Sequence, residues 1–193
     1  MALIGRSITF AKQVHMMLKR SLFSLVAVGV LAVGAFAASV SSGLKPGNSV
    51  APFDVVDVTG PNKGKQLCYR CQYGASPVVA AFIKADAPEA ASLVAGIQKL
   101  TQDNPRLRSF VVFMGGQETK ATISKIAAEK KITIPVTFLP EGPKAADVAS
   151  YQINPEASST LLLWNKGEVK SNFVNVTREG WSEVVKASQD LTK

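Results

Sequence analysis

Six consecutive apolar residues, Val78-Val79-Ala80-Ala81-Phe82-Ile83, opened by Pro77, constrain this chain more than any other feature. The run has strand length and no polar alternation, which reads as a strand buried on both faces. Such a strand belongs inside a sheet, with other elements layered above and below it. At 193 residues the chain suits one such domain plus a targeting segment.

The segments around the run alternate. Phe53 to Val58 is β-rich and is followed by the turn cluster Gly60-Pro61-Asn62-Lys63-Gly64-Lys65 and a second short strand expected around Gln66 to Tyr69. After the central run, Leu93, Val94, Ile97 and Leu100 fall at helical spacing between Pro88 and Asn104, with Asp86 placed to cap the start and Glu89 three residues on. Phe110 to Met114 reads as a second buried strand, Lys120 to Lys130 as a helix, Pro135 to Leu139 as a strand and Ala145 to Tyr151 as a short helix. Leu161 to Trp164 and Val169 to Val174 then flank an Asn165-Lys166-Gly167-Glu168 turn, and a helix over about Arg178 to Leu191 closes the chain. The order ββ, βαβαβα, ββα predicts an α/β domain with a mixed sheet, because the βαβ units are parallel and the two hairpins must be antiparallel.

Ahead of this domain, Arg6, Lys12, Lys19 and Arg20 carry charge with no balancing acid, and Ser21 to Ala38 is almost wholly apolar. The small-x-small ending Ala35-Phe36-Ala37 predicts a leader over residues 1–37, cleaved after Ala37, with an uncleaved anchor as the rival reading. Residues 38–51, rich in Ser, Gly and Pro, read as a linker, which leaves the domain at 52–193. The formal charge of +8 rests on 22 bases and 14 acids. Without the leader it falls to about +4. The remaining bases are scattered, so no nucleic-acid interface is expected.

Only two cysteines occur, in Cys68-Tyr69-Arg70-Cys71. In an extended strand, residues three apart face opposite ways and are too distant for a disulfide, which needs Cα atoms roughly 4.4–6.8 Å apart. Bonding therefore requires a turn at Tyr69-Arg70. So short a loop stabilises little by chain entropy, and Arg70 between the sulfurs would favour thiolate. An exported chain meets an oxidising compartment, where this pair would be bonded. Three readings stand: thiol-disulfide exchange with either Cys68 or Cys71 as attacker, a structural disulfide, or a metal site. Zinc would need four ligands, and the single histidine, His15, lies in the leader. The same lack of histidine removes ordinary serine and cysteine hydrolase arrangements. Gly115-Gly116 lacks the spacing and lysine of a phosphate loop, so no cofactor is expected.

The element order, Ile134-Pro135-Val136-Thr137-Phe138, and the run from Tyr151 through Thr160-Leu161-Leu162-Leu163 to Lys166-Gly167 resemble the peroxiredoxin and thiol-disulfide reductase branch of the thioredoxin-like superfamily. The resemblance implies a three-layer sandwich with an N-terminal β-hairpin extension, whereas the redox role expected of Cys68 and Cys71, with a protein thiol or disulfide as partner, rests on the local chemistry of the pair. A non-catalytic binding or scaffold module, with Cys68-Cys71 as a structural disulfide, is the alternative. The leader implies a periplasmic or extracellular location, with a membrane involved only if the leader is retained. Oligomeric state is not legible.

Two departures from that family stand out. Its reactive cysteine follows the first central strand, where this chain has Ala85-Asp86-Ala87-Pro88-Glu89, and its cis-proline position is occupied by Ser158-Ser159. Here the cysteines precede the central strand instead. A strand of about seven residues spans roughly 23 Å, which would put the pair toward the opposite end of the sheet. Tyr69 and Tyr73 read as sheet packing, Asp86 and Glu89 as helix caps, and Trp164 and Trp181 as anchors where the last helix meets the sheet.

Overall fold

The computed structural model describes residues 40–144 and 146–193, so the expected leader lies outside the described residues. Its strands are β1 (Val55–Asp57), β2 (Gln66–Leu67), β3 (Val78–Ile83), β4 (Arg108–Phe113), β5 (Val136–Phe138), β6 (Ser159–Asn165) and β7 (Glu168–Val174). The helices are α1 (Tyr69–Tyr73), α2 (Ala90–Asp103), α3 (Lys120–Lys130), α4 (Ala146–Ala149) and α5 (Trp181–Leu191). All seven strands join one mixed sheet in the order β2-β1-β5-β4-β3-β6-β7.

The apolar run is the interior strand that its composition demands. β3 pairs in parallel with β4, from Val78 opposite Arg108 to Ile83 opposite Phe113, and antiparallel with β6, from Val78 opposite Trp164 to Ile83 opposite Ser159. All six of its side chains are buried. Because strand side chains alternate, Val79, Ala81 and Ile83 join one core and Val78, Ala80 and Phe82 another. The first core includes Leu93, Val94 and Ile97 of α2, Ile123 and Ile126 of α3, and Val184 of α5. The second takes Phe53, Tyr69 of α1, Val148 of α4 and Tyr151. Two helical layers therefore enclose the sheet. Each large side chain so buried contributes roughly 1.5–3 kcal/mol.

The polar stretch read as a linker behaves differently from Ser42 onward. Ser42, Leu44 and Val50 are buried, and Ser49 forms an antiparallel bridge with Glu168 at the start of β7. The Ser42 hydroxyl shares a 2.6 Å hydrogen bond with that of Thr160, and Asn172 Nδ2 donates to the carbonyls of Ser42 and Leu44. Polar composition here serves cross-strand hydrogen bonding, which a hydropathy reading takes for a tether. The segment runs from the Thr160 end of the sheet to the Gly167 end, where Val50 N donates to the Gly167 carbonyl.

Candidate active site

β2 stops at Leu67, two residues sooner than the sequence suggests, and the chain turns at once into α1. Cys68 is the extended residue that caps α1, and its sulfur accepts a 3.0 Å hydrogen bond from the Cys71 amide. Residues three apart on a helix are neighbours, whereas on a strand they diverge. The helical turn thus brings the two Cα atoms to 5.2 Å, and the sulfurs are joined in a disulfide. Cys71 is exposed and Cys68 half-buried.

The aromatic residues fasten α1 to the sheet. The Tyr69 ring is fully buried and stacks on Phe110 at a centroid distance of 5.6 Å, while Tyr73 lies 5.3 Å from Tyr69. The Tyr73 hydroxyl donates to the Ser109 carbonyl at 3.0 Å. Packing is thus their observed role. Arg70 turns its Nε to the Val50 carbonyl at 3.2 Å and extends its guanidinium over Gly167. Its charge is committed to the β6–β7 turn.

Asp57, at the end of β1, is a residue whose role sequence reasoning missed. Its buried carboxylate accepts from the amides of Thr59, Gly60 and Asn62, at 3.2, 2.9 and 3.0 Å, and from the Tyr69 hydroxyl. Burial, and then this hydrogen bond, hold the Tyr69 phenol well above its ordinary range. Gly60 is required beside it, since a Cβ would come within 2.7 Å of Asp57 Oδ2 and 2.8 Å of the Pro135 backbone. The available signal was an Asp two residues before Thr59-Gly60-Pro61-Asn62, the pattern of a side chain closing its own turn.

The sulfur pair lies at the Val78 end of β3, next to the β6–β7 turn, where Lys166 N donates to the Ala75 carbonyl. The thiol-free loop Ala85 to Glu89 and the Ser158-Ser159 pair lie at the Ile83 end. Six residues of strand separate them by roughly 20 Å. At the Ile83 end, Ser158 N donates to Asn175 Oδ1 at 2.8 Å, Lys84 N donates to the Ser158 carbonyl at 3.0 Å, and Ser159 Oγ accepts from Val176 N at 3.1 Å. Both backbone polar groups of Ser158 are spent internally. Asp86 is exposed and forms no cap: α2 begins after Glu89, in helical conformation, with no side-chain capping bond. A cleft of about 540 Å³ opens near this end, lined by Pro88, Leu93, Gly96, Val176, Arg178 and Trp181 among others. Trp164 is buried as expected, whereas Trp181 is half-buried and lies over Gly96 of α2.

No protein-family model and no curated protein matches this sequence. Solved structures do match its shape. A putative thiol:disulfide interchange protein DsbE from Chlorobium tepidum superimposes with a TM-score of 0.64 at 14% identity, covering 78% of this chain and 99% of that one. A putative protein disulfide isomerase from Bacteroides thetaiotaomicron gives 0.63 at 15% identity, over 79% and 94%. The fold is thioredoxin-like. A yeast mitochondrial 1-Cys peroxiredoxin superimposes with a TM-score of 0.57 at 15% identity, over 77% of this chain and 76% of that one. Among the described residues, no cluster of His, Cys, Asp or Glu is arranged to hold a metal, and no helix is long and apolar enough to cross a membrane.

Proposed function

We propose that this protein is an exported thiol-disulfide exchange protein whose working groups are Cys68 and Cys71 and whose partner is a protein thiol or disulfide. The observation that carries this reading is the bonded pair itself, set on an exposed single helical turn with Cys71 open to solvent. A disulfide that an incoming thiolate can reach is the first requirement for exchange. The leader pattern over residues 1–37 supports export, and an oxidising compartment would keep the pair bonded between encounters. The experiment is a redox titration of the purified chain in glutathione buffers with thiol trapping. A potential above about −300 mV fits exchange, whereas one far below marks a structural bond.

One observation favours a second reading, a binding module with a structural clip. The pair lies at the far end of β3 from the position that would carry the reactive sulfur in the resembled family, and α1 is fixed by Tyr69, Tyr73 and Arg70. Under this reading, replacing both cysteines with alanine alters stability and leaves the cellular phenotype intact.

A further inference from the structure

We infer that exchange, on the reading just proposed, enters through Cys71, with Cys68 as the sulfur that leaves and later resolves. Two independent features agree on this order. Cys71 is the exposed member of the pair and Cys68 the half-buried one, so an incoming thiol meets Cys71 first. The Cys71 amide donates to the Cys68 sulfur at 3.0 Å, and a donated hydrogen bond stabilises a thiolate. Exchange is fastest when the expelled sulfur is the better leaving group. Access and leaving-group stability therefore select the same bond polarity.

The step balances as a displacement. An external thiolate forms a bond to Cys71 Sγ as the Cys68–Cys71 bond breaks, and the electron pair departs on Cys68 Sγ, where the Cys71 amide already points. A second external thiolate then bonds to the first external thiol's sulfur in the mixed disulfide as that sulfur's bond to Cys71 Sγ breaks. That leaves Cys71 as thiolate, the pair reduced, and the two external thiols oxidised to one disulfide. Run backward, the Cys71 thiolate opens a substrate disulfide and Cys68 resolves the adduct. Arg70 does not alter this order, because its guanidinium is engaged with Val50 and the β6–β7 turn.

The test uses the full oxidised chain and reduced glutathione as the probe, with a rapid N-ethylmaleimide quench and peptide mapping. The expected result is glutathione on Cys71 and the alkyl label on Cys68, in at least about tenfold excess over the opposite arrangement. A second measurement guards against migration of the adduct between sulfurs. The adduct ratio is therefore followed over a series of quench times, and at the shortest of them Cys71 should carry the glutathione in the same excess or a greater one. Adducts predominantly on Cys68, or equal on both, overturn the order and leave the exchange function standing. A bond that yields no adduct in the folded chain, yet opens once the chain is unfolded, overturns both.

Discussion

The Tyr69 hydroxyl donates to Oδ2 of Asp57 at 2.5 Å, a buried bond between the turn that closes the first hairpin and the helix that carries the cysteines. Tyr69 lies between the two sulfurs in sequence, so this contact sets where the disulfide sits relative to the sheet. Replacing Tyr69 with Phe keeps the ring stacked on Phe110 and removes only the donor. The expected cost is about 1.5–3 kcal/mol, the range for hydrogen bonds to charged groups, read as a lowered urea midpoint at unchanged slope.

The disulfide closes a very short loop, and α1 has other fastenings. Reduction, or the paired change Cys68→Ala and Cys71→Ala, should therefore cost about 2 kcal/mol or less and leave the chain folded. Urea melts with and without dithiothreitol measure this directly. Loss of the folded state on reduction would contradict the packing assigned to Tyr69 and Tyr73.

Gly96 lies beneath the Trp181 ring, and a Cβ there would approach within 2.6 Å of it. Gly96→Ala gains up to about 1 kcal/mol of helix propensity, against about 1–3 kcal/mol for forcing the ring aside. The net effect should be destabilising. Since Trp164 is fully buried, the accompanying red shift in fluorescence should come from Trp181.

All three tyrosines of the chain, Tyr69, Tyr73 and Tyr151, have phenols raised from the ordinary value of 10.0, with burial the leading cause in each. A phenol raised in the folded state stays protonated there after its unfolded counterpart has ionised. Its stabilisation is complete below the unfolded value and is lost as pH climbs from there toward the folded one. Stability should thus fall from about pH 10 upward. Tyrosinate absorbance should appear together with the loss of near-ultraviolet circular dichroism, not as a separate earlier titration.

The sequence disclosed the sheet better than the site. β3 and its neighbours carry apolar runs that have no stable place outside an interior sheet, and α3 spans Lys120–Lys130 as its periodicity requires. Cys68 to Tyr73 was harder to read, because aromatic residues beside a hairpin suit a strand as well as a helix. What decided it was tertiary: two tyrosines reaching Phe110, Ser109 and Asp57 from one helical face. The absent cap at Asp86 and the structured run from Ser42 to Val50 were hidden for a related reason. Short polar residues signal caps and tethers, but also cross-strand bonding, and only the position of Thr160 and Asn172 separates these uses.

The route of residues 41 to 50 has an orientational consequence. Ser41 and Ser42 are held by Asn154 and Thr160, beside the Ile83 end of β3, while the disulfide occupies the opposite extremity. The two extremities of β3 are thus given to separate tasks, one to fastening the 41–50 segment and the other to seating the disulfide, so a substitution or label at Ser41 or Asn154 stands remote from the sulfurs.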